Sequence, residues 1–310
     1  MKDAHLVSVI IPTYNRSNNL ENAIKSVLSQ TYASVEVIVV DDNGKDTNTQ
    51  KETQERMSKF LGDERVKYII RDTNGGGGAA RNTGIENSIG DIITFLDDDD
   101  LYLINKVERQ VSIIDSGYDI SLCSMVVQYE TGEPTSPEWS YAKGDSVKEF
   151  VLNGNSYTPM IMLKRNILTG KGDFINVKML QDHIFMLNLC LKKPDLKINA
   201  TKEKLYIHNI HSEDRVSKKK NATCFEIKNS LENKLSYLLT EKEKDELKMK
   251  QQKELSILYS ENGDYLKAIL FFSPSVKYIS RPKLLLKYGK TMARLVIGSK
   301  LYEKIKRNEK

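Results

Sequence analysis

Ile92-Ile93-Thr94-Phe95-Leu96 followed by Asp97-Asp98-Asp99-Asp100 is a short apolar run that ends in four consecutive carboxylates. An unbroken apolar run of this length reads as a strand buried on both faces, the kind found in sheets covered by helices on each side. Its carboxyl end is where open α/β sheets bind their ligands. Four adjacent acids repel one another, and a cation among them removes the repulsion. Carboxylate oxygens are the hard donors that Mg²⁺ or Mn²⁺ take. The other use for such aspartates is to cap a helix that starts near Leu103.

Working outward, Leu6–Pro12 and Val35–Val40 read as two further strands, the second ending in Asp41-Asp42. Between them Leu20, Ala23, Ile24, Val27 and Leu28 share one helical face. Strand, helix and strand form a right-handed crossover, which puts Thr13, Tyr14, Asp41 and Asp42 on the same edge as Asp97–Asp100. The pattern continues with a helix over Thr47–Leu61, a strand over Val66–Ile70, the glycine run Gly75–Gly78 and a helix from Ala79. After the central strand come a helix over Leu103–Ile114, a strand over Ile120–Val127 and a loop over Glu130–Gly144. A short strand over Pro159–Leu163, a helix over Gln181–Leu191 and a strand over Leu205–Ile210 complete the domain. From Asn221 the pattern is wholly helical, with a break at Asn262-Gly263. The expectation is an α/β domain over residues 1–217 and a helical, basic region over 218–310.

The 310 residues suffice for a self-supporting core. Three widely spaced cysteines, Cys123, Cys190 and Cys224, suit neither a disulfide framework nor a zinc site and point to a reducing compartment. No run is long enough to span a membrane, and no basic-then-apolar leader opens the chain, so a cytosolic protein is expected. The net charge of +5 is unevenly spread: residues 201–310 carry 25 Lys and Arg against 14 Asp and Glu. Within residues 277–310, Leu285, Tyr288, Met292, Leu295 and Val296 line one side of a possible helix among many basic residues. That pattern suits an anionic membrane surface, or a hairpin packed on the protein with solvated lysines. Interleaved aromatics and a base-reading module are lacking, which argues against nucleic acid as partner.

Four ordered segments, VSVIIPTYN at 7–15, VIVVDDNG at 37–44, AARNTG at 79–84 and FLDDDD at 95–100, resemble family 2 glycosyltransferases of GT-A fold, a Rossmann-like α/β architecture with a mostly parallel sheet. The resemblance covers residues 6 to about 217. It implies a metal-dependent inverting enzyme that moves a sugar from a UDP-sugar to a hydroxyl of a glycan, lipid-linked or polymer acceptor. Surface-polysaccharide or teichoic-acid synthesis at the inner face of the plasma membrane would be its setting.

On that resemblance Thr13, Tyr14, Asp41 and Asp42 hold uracil and ribose, with Asp42 the better of the two acids for the base N–H. Arg81 and Asn82 face the nucleotide from a helix start. Asp97-Asp98-Asp99 matches the family's Asp-X-Asp, with Asp97 and Asp98 toward the nucleotide-sugar and Asp99 on the Mn²⁺ or Mg²⁺. Leu180-Gln181-Asp182-His183 aligns with a Glu-Asp pair that opens a helix, Gln181 standing where the family has Glu and Asp182 being the catalytic base. His211 would assist the metal or phosphate and Arg215 the leaving diphosphate, with His208 an exposed loop residue. Each position also has a plainer use, as turn cap, helix cap or exposed side chain. Two rivals remain. Gly75-x-Gly77-x-x-Ala80 also fits a nicotinamide dinucleotide fingerprint, and a non-catalytic scaffold of the same fold would work through its helical region.

Overall fold

The computed structural model of the chain describes residues 4–15, 17–169, 172–210 and 221–272. The chain forms two compact units, one of residues 1–177 and 181–214, the other of residues 178–180 and 215–310.

In the first unit the apolar runs become strands β1 (Val7–Thr13), β2 (Val35–Asp41), β3 (Val66–Ile70) and β4 (Ile92–Phe95). Nearly every residue of β1, β2 and β4 is buried, as expected of strands covered on both faces. Helix α1 (Ser17–Leu28) lays Leu20, Ala23, Ile24 and Val27 onto the sheet with no exposed surface. Helix α2 (Asn48–Met57) starts at Thr47, whose hydroxyl accepts the Gln50 N–H. Helix α3 (Gly77–Asn87) packs so tightly on β1 that a Cβ on Gly84 would lie 2.3 Å from Ile10 Cγ2.

Beyond β4 lie β5 (Leu101–Tyr102), α4 (Lys106–Asp115), β6 (Ile120–Tyr129), α5 (Val147–Asn153), β7 (Ile161–Lys164), α6 (Gln181–Lys192) and β8 (Ile198–Ile210). Among the described residues the eight strands make one sheet of order β3-β2-β1-β4-β7-β6-β8-β5. The first four are parallel, β7 runs against both β4 and β6, and β6 and β8 are parallel. The sheet is therefore mixed. Two reversals return β6 and β8 to the direction of β4, so the carboxyl ends of β1, β2, β4, β6 and β8 all meet one edge.

Local departures from the sequence reading have physical causes. Leu101 and Tyr102 pair with Ile207 and Tyr206, which delays the start of α4 to Lys106. Residues after Gly144 form α5 because the Ser146 hydroxyl caps it by accepting the Glu149 N–H. Strand β8 begins at Ile198, well before Leu205, since its polar first half still pairs with β6 through a register shift between Leu122 and Met125.

The second unit contains α7 (Ala222–Lys234), α8 (Glu241–Glu261) and α9 (Tyr265–Phe272). Thr240 and Glu243 cap α8 reciprocally, and Gly263, with a left-handed φ of 82°, turns the chain into α9. Inside, Lys228 pairs with Glu254 and Glu232, and Gln251 donates to Glu232 at 2.8 Å. No helix among the described residues is long and apolar enough to cross a membrane. His211, Arg215 and the basic stretch 277–310 lie outside the described residues. The three cysteines are buried and free.

Candidate active site

The end of β4 delivers the four aspartates to the sheet edge with alternating exposure: Asp97 and Asp99 are half-buried, Asp98 and Asp100 buried. The buried pair anchors the tip. Thr13, at the end of β1, donates its hydroxyl to Asp98 Oδ2 at 2.7 Å. Asp100 accepts the Asn209 N–H at 2.9 Å and lies 3.0 Å from His208 Nδ1, while Asn209 Nδ2 donates back to the Asp99 carbonyl at 2.6 Å. The tip is thus clasped by β1 on one side and β8 on the other. Burial pushes the Asp100 carboxyl up to about 6, with His208 pulling it down and Asp97 and Asp99 adding to the rise.

Arg81, in α3, occupies the space between this tip and α6. One guanidinium nitrogen, Nη2, donates to Asp97 Oδ1 at 2.5 Å and the other, Nη1, to Gln181 Oε1 at 3.0 Å, and the group lies 5.7 Å over the Phe174 ring. Its Nε is buried with no hydrogen-bond partner. Gln181 in turn donates to the Val177 carbonyl at 2.8 Å. Asn82 spends both polar atoms on the Phe174 backbone, Nδ2 to the carbonyl and Oδ1 from the N–H, each at 2.9 Å. Its side chain here holds a loop.

Asp41 and Asp42 are both buried but hold different things. Asp41 accepts from the Tyr68 hydroxyl at 2.5 Å and from the Asn43 N–H and Nδ2, a turn-forming arrangement; burial raises its pKa and these bonds lower it. Asp42 receives the Gly75 N–H at 3.0 Å and the Gly76 N–H at 2.7 Å, one on each oxygen. Gly76 adopts a left-handed φ of 82°, and a Cβ on Gly75 would sit 2.7 Å from the Arg71 guanidinium. Tyr14 is 51% exposed beside this turn, where Asn15 donates its N–H to Asn43 Oδ1.

Asp182 sits in the first turn of α6, directly after Leu180, whose φ of 59° is left-handed. Its Oδ1 accepts the His183 N–H at 2.8 Å, and His183 stacks on Phe150 of α5 with ring centroids 5.1 Å apart. Burial raises the Asp182 pKa; the His183 bond and the Arg81 charge oppose it. A carboxylate that is half-buried, near a cation and of raised proton affinity can take a proton from a hydroxyl. The structure therefore gathers Thr13, Arg81, Asp97, Asp98, Asp99 and Asp182 around one edge, with Asp42 at its far end.

Asp97 and Asp99 are the half-buried oxygen donors of the run. No cluster of three or more His, Cys, Asp or Glu side chains that could hold a metal occurs among the described residues. Mg²⁺ needs no such cage, since it keeps waters and binds through one or two carboxylates plus substrate phosphates. The donor set fits such an ion.

His208 and Arg71 carry more of this edge than sequence reading assigned them. His208 lies in β8 rather than in a loop, with 16% of its side chain exposed. Its signal was its place in an alternating strand whose partner, Asp100, is more than a hundred residues away. Arg71 is 3.4 Å from Asp42 Oδ1, and its Nη1 has no hydrogen-bond partner.

The description Glycosyl transferase family 2 matches residues 8–183. A GalNAc(5)-diNAcBac-PP-undecaprenol beta-1,3-glucosyltransferase of Campylobacter jejuni is 29% identical over 301 residues, 90% of this chain and 91% of that protein. A glycosyltransferase of Haemophilus influenzae is 31% identical over 69% of this chain and 80% of its own length. A glycosyltransferase of Rickettsia conorii is 41% identical over 142 residues, but this chain spans only 22% of its length. Among solved structures, residues 1–349 of S. aureus TarS in complex with UDP-GlcNAc superpose with a TM-score of 0.59 at 18% identity, covering 87% of this chain and 90% of that fragment, a likeness of fold. With the family's description matched across more than half of its length, this chain belongs to glycosyltransferase family 2.

Proposed function

We propose that the chain transfers a sugar from a UDP-sugar to a hydroxyl of an acceptor glycan, with inversion at the anomeric carbon. The observation that carries this reading is the Arg81 bridge: one guanidinium binds Asp97 of the acidic tip and Gln181, the neighbour of Asp182. Donor-side acids and an acceptor-side base are thereby held on one frame.

In this reading Thr13, Tyr14 and Asp42 bind the nucleoside, Asp41 shapes the turn beneath it, and Asp97 and Asp98 border the sugar. A Mn²⁺ or Mg²⁺ ion held by Asp99 with Asp97 would neutralise charge on the diphosphate. Asp182 takes the proton of the acceptor hydroxyl, whose oxygen attacks the anomeric carbon from the face opposite the UDP. One displacement inverts the centre. His211 and Arg215 are proposed at the diphosphate. The relatives' names, which give undecaprenol-diphosphate-linked acceptors, support a lipid-linked acceptor. A place in surface-polysaccharide synthesis is part of the same proposal, as is peripheral attachment to the inner face of the membrane, for which the basic, amphipathic sequence of residues 277–310 is the support.

The dinucleotide alternative needs the glycine-loop N–H groups for a pyrophosphate, and Asp42 already accepts those of Gly75 and Gly76. A thermal-shift series tests the choice: UDP with Mn²⁺ raises the melting temperature and NAD⁺ does not. A screen of UDP-sugars for slow, Mn²⁺-dependent hydrolysis then identifies the donor; no hydrolysis of any of them together with no response to UDP rejects the proposal and leaves the scaffold reading.

A further inference from the structure

The sheet order separates two sides of the active edge. The ends of β1 and β2, with Thr13 and Asp42, lie on one side of β4; the ends of β6 and β8 lie on the other. The chain leaving β6 forms the loop of residues 130–144 on that second side, and there it carries the protein's one tryptophan, Trp139.

Trp139 is 38% exposed, yet its loop is held by several hydrogen bonds. Asn155 donates its Nδ2 to the Trp139 carbonyl at 2.6 Å and to the Tyr141 carbonyl at 3.3 Å, and its backbone bridges Lys143. Thr135 pairs with Val127 of β6 in both directions at 2.9 Å. From Trp139 a ladder of rings runs back to the acidic tip. Trp139 and Tyr157 have centroids 6.0 Å apart at 46°, Tyr157 and His208 5.7 Å apart at 45°, and His208 meets Asp100.

A partly exposed indole on a loop held at the end of β6 has a specific chemical complement. Aromatic faces are electron-rich and attract weakly positive C–H groups, and a pyranose ring presents a face of C–H groups with hydroxyls around its rim. The surroundings suit such a rim better than an acyl chain: Glu138, the residue before Trp139, pairs with Lys143 at 3.0 Å, and Lys204 lies 5.5 Å over the Tyr141 ring. We propose that Trp139 is the stacking platform for a pyranose of the acceptor glycan, placed across β4 from the nucleotide side. This rests on the transferase reading of the same edge.

Since Trp139 is the only tryptophan in the sequence, indole emission of the full chain reports on this position alone. Titration with methyl hexosides and methyl N-acetylhexosaminides is expected to give a saturable emission change with at least one of them and none with glycerol. In transfer assays Trp139→Ala is expected to raise the acceptor KM about tenfold with a smaller change in kcat, and Trp139→Phe to recover most of the loss. Melting temperatures of both variants establish that they fold; should Trp139→Ala not fold, the wild-type titration and Trp139→Phe decide. Emission unmoved by every glycoside, an acceptor KM unchanged in Trp139→Ala, or a response to phospholipid vesicles in place of glycosides would overturn the proposal. Donor hydrolysis by the wild type is read separately. A chain that hydrolyses no UDP-sugar but shows saturable, glycoside-specific emission loses the catalytic reading and keeps the platform.

Discussion

Arg81 donates to Asp97 across the active edge, Nη2 to Oδ1 at 2.5 Å, and is the cation that offsets the acidic tip from the α3 side. The planar fork lets the same group hold Gln181 with Nη1, which a lysine ammonium cannot do in one geometry. Arg81→Met leaves Asp97 and Gln181 without this donor and is expected to cost about 2 kcal/mol of stability. Arg81→Lys should recover part of that stability while still weakening UDP binding. Urea unfolding and UDP titration measure the two; a Lys variant equal to wild type in both would remove the fork from the argument.

Gln181 stands between Arg81 and Asp182 and is uncharged. Gln181→Glu would place a second carboxylate next to Asp182, and like charges raise each other's proton affinity. The acid limb of the pH–rate profile should therefore move to higher pH, by about one unit. The Val177 carbonyl would at the same time lose the donor it now has at 2.8 Å. A limb at the same pH in both enzymes would show that the residue at 181 does not reach the titrating group.

How much of this was legible in the sequence depends on whether a residue's partners are near it in the chain. The runs that became β1, β2 and β4 were readable because burial on both faces is written in their own composition. The Asp42 clasp was not: the motif points to a nucleobase acceptor, but the acid's present partners are glycines more than thirty residues on. Thr13 with Asp98 and His208 with Asp100 share this feature. Lys106 shows a different limit. Lys106 and Gln110 lie four apart in α4, and periodicity reports which face a residue is on but not how deep that face lies. Both are fully buried.

That depth has a measurable consequence. Lys106 Nζ contacts Gln110 Oε1 at 2.6 Å, Thr94 Oγ1 at 3.2 Å and the Tyr102 ring at 4.0 Å, and burial lowers its pKa from 10.5 to about 8. Between about pH 8 and 10.5 the unfolded chain holds this proton and the folded chain does not. Stability from this group is therefore fully present above 10.5 and lost as pH falls through 8. The difference amounts to about 3 kcal/mol at most. Lys106→Met should flatten that part of the stability profile relative to wild type, measured by urea unfolding from pH 7 to 10. Parallel profiles would mean that the ammonium is solvated in the folded protein.

Asp182 is open to the most direct test. It occupies the first turn of α6, inside the helix, and the bond it makes is with the next residue's N–H at 2.8 Å. Asparagine can accept that same bond, so Asp182→Asn should fold and bind UDP as the wild type does. It cannot take a proton at neutral pH. Loss of a general base costs on the order of 10² to 10⁴ in rate, and that is the fall expected in transfer. Burial raises the Asp182 pKa, so the wild-type rate should decline with falling pH at values above the ordinary carboxylate range, as the base becomes protonated. The Asn variant's residual rate should lack that limb. Normal turnover by Asp182→Asn with its own donor and acceptor would make Asp182 a structural residue and send the search for the base to another group on this edge.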